Sequence, residues 1–363
     1  MMRRVVMSAL VLAVAPWVRG QAPVIGAGDM FNEVGLYYRS YANAYNSLLG
    51  TGTYLVDNRM GAPGEDRFWD FSQGPTERVL RFDYLEPTGL AQAVDFPEAT
   101  IVEKKTVEGV GDEEWLMFAQ LPGIGRRVYG FYSEAYSPFE PSVAFSQPIV
   151  DFPDTIAYQG SWTASYIAWS VYPSLDPEVA DNFRIRTTAS STFNVDAWGV
   201  VLLPNLGLVD ALRINEEQVL DLAVDWGDGE IQQIETDYVR SYYWLSPGRG
   251  IVAQLTSTAL GATPPANFSD ATAFVRMFET NKEGTSGATD PQPVSNLRVT
   301  VSNGRVLVQW NKAANATRYR VEYSSSGWDA QNWQMLGEET TNDFLFDPDG
   351  IGEGRFYRVV SLR

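Results

Sequence analysis

The chain has 363 residues, 45% of them hydrophobic and 13% aromatic, and it contains no cysteine and no histidine. Without thiol or imidazole groups it can form neither a Cys-His or Ser-His-Asp nucleophile nor a zinc or iron–sulfur site of the usual ligands. Its length predicts two or three domains. The 45 acidic residues outnumber the 27 basic ones and give a formal charge of −18, which argues against a nucleic-acid partner.

The first 20 residues have the pattern of a secretory signal peptide. Arg3 and Arg4 precede the apolar run 5–18, and Val18-Arg19-Gly20 ends in a small residue. The run is interrupted by Pro16 and is shorter than the roughly 20 residues that a membrane-spanning helix needs. We therefore expect a protein that is secreted, extracellular or attached to the cell surface; in a bacterial cell the periplasm is the other compartment. Cleavage after residue 20 would remove three arginines and leave a mature charge of −21, with no transmembrane segment.

Short runs with alternating apolar residues, separated by glycine, proline and asparagine, recur along the rest of the chain. This pattern predicts an all-β protein with a multi-domain β-sandwich architecture, although closed sheets have similar spacing. Two short stretches, 40–49 and 216–224, fit a helix as well as a strand. With no disulfide available, core burial alone must hold such a protein together.

The carboxyl-terminal segment 294–363 follows a stretch at 284–293 that lacks large apolar side chains and is predicted to be a linker. The segment contains Leu307-x-x-Trp310, a Tyr-x-Val-x-Tyr run from residue 319, and Tyr357-x-Val359, and it resembles a fibronectin type III domain. The resemblance implies an immunoglobulin-like sandwich in which the Tyr357 hydroxyl bonds back to the chain at a strand corner. Only six strands of the pattern are present, so we expect either an open sheet edge or completion by another segment.

The region 21–283 contains several short sequence motifs, among them Phe68-Trp-Asp-Phe71 and Asp196-Ala-Trp-Gly199 followed by Ala211-Leu-Arg-Ile214. It resembles uncharacterised secreted β-rich proteins of Bacteroidota and related bacteria, a likeness that implies no activity. Two prolines near 137–145 suggest a division into two subdomains. The turn at 204–207 predicts a hairpin with Trp198 and Leu212 in the core and Arg213 on the opposite face.

Two clusters are candidate sites. The aromatic residues Trp162, Tyr166, Trp169 and Tyr172 could stack on sugar rings, although core packing of a second sheet is the more economical interpretation. The second cluster is a set of acidic residues around Gly227, namely Asp225, Asp228 and Glu230. The motif that contains them is similar to one found in polycystic-kidney-disease-type sandwich domains. These carboxylates could bind calcium, but a Gly-Asp-Gly turn with solvated acids explains them more simply. No other cofactor is indicated.

Carboxylate chemistry is the only catalytic class that this inventory of side chains favours, chiefly glycoside hydrolysis. Trp115 follows three acids, Asp112-Glu113-Glu114, and aromatic residues also surround Glu134 and Glu140. With 45 acidic residues in the chain, however, many acids lie near an aromatic residue by chance. We nominate no catalytic residue. The sequence favours a binding or scaffolding protein whose partners are extracellular or envelope glycans or proteins. A polysaccharide-active hydrolase or a calcium-dependent carbohydrate-binding protein is the alternative.

Overall fold

The structure, a computed structural model, describes residues 22–46, 51–56, 59–173, 182–227, 230–282, 294–302, 305–313, 316, 318–325, 333–337, 340–350 and 355–362. The chain forms two compact units whose boundary falls between Lys282 and Glu283. The predicted signal peptide and the predicted linker lie outside the described residues. Within the described part, no helix combines the length and the apolar character that crossing a bilayer requires.

The regular secondary structure of the large unit is almost entirely β-strand among the described residues, which confirms the all-β prediction. Its only helical elements among the described residues are two 3₁₀ turns, Ala27–Asp29 and Ala91–Ala93. The strands are β1 (Ile25–Gly26), β2 (Tyr37–Ala42), β3 (Tyr54–Leu55), β4 (Gly64–Asp70), β5 (Arg78–Leu85), β6 (Ile101–Val107), β7 (Glu113–Leu121), β8 (Gly125–Tyr132), β9 (Ser142–Pro153), β10 (Thr155–Ile156), β11 (Ser161–Tyr172), β12 (Phe183–Leu203), β13 (Gly207–Asp225), β14 (Ile231–Ser246), β15 (Gly250–Ser257) and β16 (Asp270–Thr280).

Fourteen of these strands form one sheet in the order β11-β12-β13-β14-β15-β16-β2-β5-β6-β7-β8-β9, with β3 and β4 attached to β16 and β12. The division suggested near 137–145 falls beside β8 and β9, which pair with each other in this sheet. The ambiguous stretch 216–224 lies in β13 and is strand. Strand β1 pairs separately with β10.

The first half of β12 pairs with β11, and its second half pairs in parallel with β4. Glycine is required where β4 passes Gly199, because a Cβ atom there would lie 1.9 Å from the Arg67 carbonyl oxygen. The predicted hairpin is confirmed, since Trp198 faces Leu212 in the register and both side chains are buried. Arg213 is also buried, with 1% exposure, and bonds Asp196 and the Met60 and Gly61 carbonyl groups.

The main core lies where β4 and its flanking loop cover strands β14 to β16. Trp69 and Phe71 contact Trp244 edge-on at ring distances of 5.9 and 4.7 Å, and Phe71 also contacts Phe274. The buried Arg276 holds the following loop by donating to four carbonyl groups, those of residues 71, 72, 74 and 75. Apolar contact and buried guanidinium bonds together fix this segment on the sheet.

The two end strands of the sheet, β9 and β11, lie side by side, so the sheet is rolled up. We call this junction the seam; it comprises residues 136–151 and 162–172. It is joined largely through side chains: Trp162 Nε1 donates to the Asp151 carbonyl at 2.9 Å, the Ile167 amide to Ser146 Oγ at 3.2 Å, and the Val171 amide to Ser137 Oγ at 3.0 Å. The rolled sheet therefore encloses the face of β14 that carries Tyr243, whereas Trp244 and the core under β4 lie on the opposite face.

The small unit has two three-stranded sheets that enclose a core around Trp310, Tyr319 and Val321. Its strands are β17 (Ser295–Ser302), β18 (Arg305–Asn311), β19 (Arg318–Ser324), β20 (Gln334–Met335), β21 (Phe344–Asp347) and β22 (Phe356–Leu362). The sheet orders are β17-β18-β21 and β20-β19-β22. This is a β-sandwich arrangement.

The Tyr357 hydroxyl does bond back to the chain, but its acceptor is the carboxylate of Asp347 at 2.8 Å. Arg355 and the Asp349 amide also donate to Asp347, whose side chain is fully buried. Burial alone would raise the pKa of Asp347, but these hydrogen bonds outweigh it and hold the pKa below its ordinary value. The Asp347 carboxylate therefore accepts hydrogen bonds from three donors.

Candidate functional site

A cavity of about 360 Å³ opens beside the seam, inside the rolled sheet. We call it the seam cavity; it is lined by Glu103, Lys105, Glu114, Trp115, Leu116, Phe131, Ser133, Tyr136, Phe145 and Tyr166. Its volume lies within the range of small-ligand sites, roughly 300 to 1,000 Å³. Aromatic walls combined with a few charged groups are typical of such sites.

The polar groups of the seam cavity converge because of strand register. Glu103 and Lys105 alternate along β6 and so share one face, and Lys105 lies directly opposite Glu114 of β7. Lys105 Nζ and Glu114 Oε2 form an ion pair at 2.7 Å in which both side chains remain partly exposed. The charged side of the cavity therefore consists of neighbouring positions on two adjacent strands.

The aromatic side of the seam cavity comes from strands that are distant in sequence. Phe145 of β9 and Tyr166 of β11 stack across the seam with ring centroids 4.0 Å apart. Phe131 of β8 contacts Tyr136 edge-on at 5.0 Å. Burial, with smaller contributions from Tyr136 and Glu216, raises the pKa of Tyr166 to about 12, so its hydroxyl is a neutral donor at neutral pH.

Glu103 is linked to a buried ionic network. It accepts a hydrogen bond from the Tyr84 hydroxyl at 2.5 Å and lies 3.5 Å from Arg126, which also binds both carboxylate oxygens of Asp151. Burial would lower the pKa of Arg126, but Asp151 and Glu103 raise it above the ordinary value. The charged form of Arg126 is thus stable inside the roll, and it orients Glu103.

Glu216 of β13 is a buried carboxyl group inside the roll. It accepts a hydrogen bond from the Tyr243 hydroxyl at 2.7 Å. Burial raises the pKa of Glu216, because the hydrogen bonds from Tyr243 and Ser191 only partly offset the loss of water. Burial and the charge of Glu216 also place the pKa of Tyr243 well above its ordinary value.

A second cavity of about 350 Å³ shares Lys105, Glu114 and Trp115 with the seam cavity. It brings together two groups of acids that the sequence singled out, Asp112 to Glu114 and Glu134, with Tyr132 beside them. Tyr132 donates to Glu134 at 3.0 Å, and Lys104 pairs with Glu113 at 2.5 Å. Glu140 is not among its lining residues.

The four predicted ligand-binding aromatics occupy different environments. Tyr166 lines the seam cavity, whereas Trp162 stacks on Phe193 at 4.9 Å and Tyr172 stacks on Phe183 at 5.4 Å. The Tyr172 hydroxyl donates to the Tyr136 carbonyl. Trp169 lies on the opposite face of β11, as alternation requires, and the Arg184 guanidinium lies 4.3 Å from its ring. Of these four residues, Tyr166 therefore lines the seam cavity and the other three do not.

Of the predicted calcium ligands, Asp225 ends β13 and Glu230 lies just before β14. Asp225 Oδ1 accepts a hydrogen bond from the Gly227 amide at 2.9 Å, and Gly227 has a φ of 92°. Asp228 lies outside the described residues. In the part of the chain that is described, no group of three or more acidic side chains is arranged to hold a metal ion.

Sequence reasoning missed Glu103, Lys105, Phe131 and Phe145. Alternation along β6 placed Glu103 and Lys105 on one face, but no signal in the sequence showed that β9 and β11 would meet. Comparison of the chain with protein-family models, with curated proteins and with solved structures finds no match to any of them.

Proposed function

We propose that this protein is an exported binding and scaffolding protein of the bacterial surface or extracellular space, which contacts glycans through the seam cavity. The observation that carries the proposal is the meeting of aromatic rings with the Lys105–Glu114 pair and Glu103 in one open cavity. The leader pattern of residues 1–20 supports export. The carboxyl-terminal sandwich, which we assign to the fibronectin type III class on its sequence pattern, supports a role in spacing and presentation.

A sugar fits the chemistry of this cavity. A pyranose ring presents C–H groups that pack on aromatic faces, and its hydroxyl groups donate to carboxylates and accept from ammonium groups. Phe131, Tyr136, Phe145 and Tyr166 offer the first kind of contact. Glu103, Lys105 and Glu114 offer the second kind, and the cavity has room for about one sugar unit.

The test uses purified residues 21–363 and a panel of insoluble polysaccharides, followed by titration with oligosaccharides of whichever polymer retains the protein. We expect Glu114→Gln to weaken binding roughly tenfold, because a hydrogen bond to a charged group contributes about 1.5 kcal/mol or more. Glu65→Gln, an equally charge-neutralising change at an exposed position of β4, is the matched control and should leave the affinity unchanged. Equal affinities for the parent protein and Glu114→Gln would place the contact elsewhere.

The second cavity favours one alternative, a carboxylate-based hydrolase, because Asp112, Glu113 and Glu134 lie there beside Trp115. Release of reducing ends from a retained polymer would establish that activity, and its loss in Glu134→Gln would assign the residue. A calcium-dependent lectin would instead lose retention in the presence of a chelator. Retention that survives chelation without product release supports the binding role.

A further inference from the structure

Glu103 offers the seam cavity one carboxylate oxygen that the fold does not use. Both hydrogen bonds that Glu103 accepts among the described residues end on Oε2, from the Tyr84 hydroxyl at 2.5 Å and from Arg126 Nη1 at 3.5 Å. Oε1 accepts no bond there, yet it is not one of the enclosed polar atoms that lack a partner, so it is open to solvent. Because Glu103 lines the seam cavity, this oxygen is available to a ligand in the cavity.

Glu103 is also the carboxylate that remains when the charges around it are paired. Lys105 Nζ lies 2.7 Å from Glu114 Oε2. Arg126 donates to both oxygens of Asp151 at 3.0 Å or less, which is closer than its 3.5 Å approach to Glu103. When these five groups are ionised, three negative and two positive charges leave a net charge of −1. A ligand with one positive charge would balance this set.

The walls of the seam cavity suit an organic cation. Phe145 and Tyr166 stack 4.0 Å apart, and Phe131 and Tyr136 complete the aromatic side. The faces of aromatic rings attract ammonium groups, and they do so more strongly where water is excluded. A metal ion is a poorer match, because the described part of the chain contains no group of three acidic side chains that could hold one.

We infer that the seam cavity selects ligands that carry a protonated amine, whose N–H groups donate to Glu103 Oε1. The inference rests on the proposed function, and within that function it names the ligand class as amino sugars with a free ammonium group. The sugar ring packs on the aromatic side of the cavity, and the ammonium group forms a charge-assisted hydrogen bond with Glu103. Neutral sugars of the same size lack this second contact.

The test compares methyl glucoside with two sugars of the same size in which an ammonium group replaces one hydroxyl group, methyl glucosaminide and methyl 6-amino-6-deoxyglucoside. Purified residues 21–363 are titrated with each sugar by ligand-observed NMR, in a mildly acidic buffer that keeps the amines protonated. Salt at about 0.15 M limits attraction by the acidic surface as a whole. We expect at least one amino sugar to bind about tenfold more tightly than methyl glucoside, because its hydrogen bond joins two charged groups.

Two variants test the role of Glu103. Glu103→Gln should abolish the preference for the amino sugar, because the amide has a similar shape but no charge. Glu65→Gln removes the same charge at an exposed position of β4, so it is the matched control and should retain the preference. Lys105→Gln, at a partly exposed position, should enlarge the preference several-fold, because it frees Glu114 and removes a competing cation. This gain tests the inference even if Glu103→Gln does not fold.

The possible outcomes separate this inference from the proposed function. Equal affinities for the amino sugars and methyl glucoside, or a preference that survives Glu103→Gln, would overturn the inference and leave glycan binding in place. Cyclohexylamine, a ring with an ammonium group and no hydroxyl groups, provides the converse test. If it binds through Glu103 more tightly than all three sugars, the selection of amines stands and the glycan ligand is refuted. If no amine binds saturably, the inference fails.

Discussion

Removing the Tyr357 hydroxyl should destabilise the small unit more than an ordinary tyrosine-to-phenylalanine change. The hydroxyl donates to Asp347 at 2.8 Å, and the Asp347 side chain is 0% exposed. Tyr357→Phe leaves this buried carboxylate with one donor fewer, and a hydrogen bond to a charged group contributes about 1.5–3 kcal/mol. That loss corresponds to a roughly 10- to 150-fold decrease in hydrogen-exchange protection for the amides of β18 and β22.

Tyr323→Phe is the matched control, because the Tyr323 hydroxyl donates to Gln334 at an exposed position. It should cost well under about 1 kcal/mol, since neither group is charged or buried. Similar protection losses in the two variants would refute the argument that burial of the Asp347 carboxylate sets the cost.

The pH dependence of Tyr357→Phe follows from the lowered pKa of Asp347. An acid with a lowered pKa in the folded state stabilises that state above its unfolded pKa, about 3.9, and this contribution is lost as pH falls through the folded pKa. The difference between Tyr357→Phe and the parent should therefore be largest near neutral pH. Below the folded pKa it should shrink toward the value of about 1 kcal/mol for a neutral hydrogen bond.

Three further changes test the large unit. Arg276→Met should lower the free energy of unfolding in urea by about 3 kcal/mol, because four carbonyl groups lose their buried donor. The loop at 71–75 should then be cleaved faster by proteases. An unchanged cleavage rate would contradict this role of Arg276. Gly199→Ala should prevent the pairing of β4 with β12, since its Cβ atom would overlap the Arg67 carbonyl group. The amides of residues 64–70 should then lose their protection from hydrogen exchange. Unchanged protection would contradict the close approach of the two strands at Gly199. The pKa of Glu216 is raised in the folded state, so the free energy of unfolding should fall as pH rises above the unfolded pKa of about 4.3. Glu216→Gln should reduce this dependence of stability on pH. The same dependence in the parent and in Glu216→Gln would show that another group is responsible.

Local patterns in the sequence predicted local structure well. The turn at 204–207 and the alternation around it correctly predicted a hairpin in which Trp198 and Leu212 are buried, and the register places them opposite each other. These features depend on neighbours within one strand or one hairpin, where period two and turn residues are informative. Arg213 was correctly placed on the opposite face, but its burial depends on Asp196 and the loop at 60–61, which no strand pattern reveals.

The candidate site could be predicted only in part, because it depends on which strands meet. Tyr166 was identified as an aromatic of interest, yet its partner Phe145 lies on the strand at the other end of the sheet order. The bond from Tyr357 was predicted in direction but not in acceptor, since a strand corner is a local pattern whereas Asp347 lies ten residues away at the end of another strand. The spacing of residues within one strand or hairpin does not show which residues of distant strands come into contact.

The seam has a consequence for how this architecture can diversify. Elsewhere in the sheet, neighbouring strands are held by backbone bonds that every sequence can make, whereas β9 and β11 are joined largely by particular side chains such as Trp162, Ser146 and Ser137. Single substitutions there can widen or narrow the gap, and with it the adjoining cavity, without disturbing any strand ladder. Selection could therefore adjust the shape of this cavity independently of the backbone pairing that holds the rest of the sheet together.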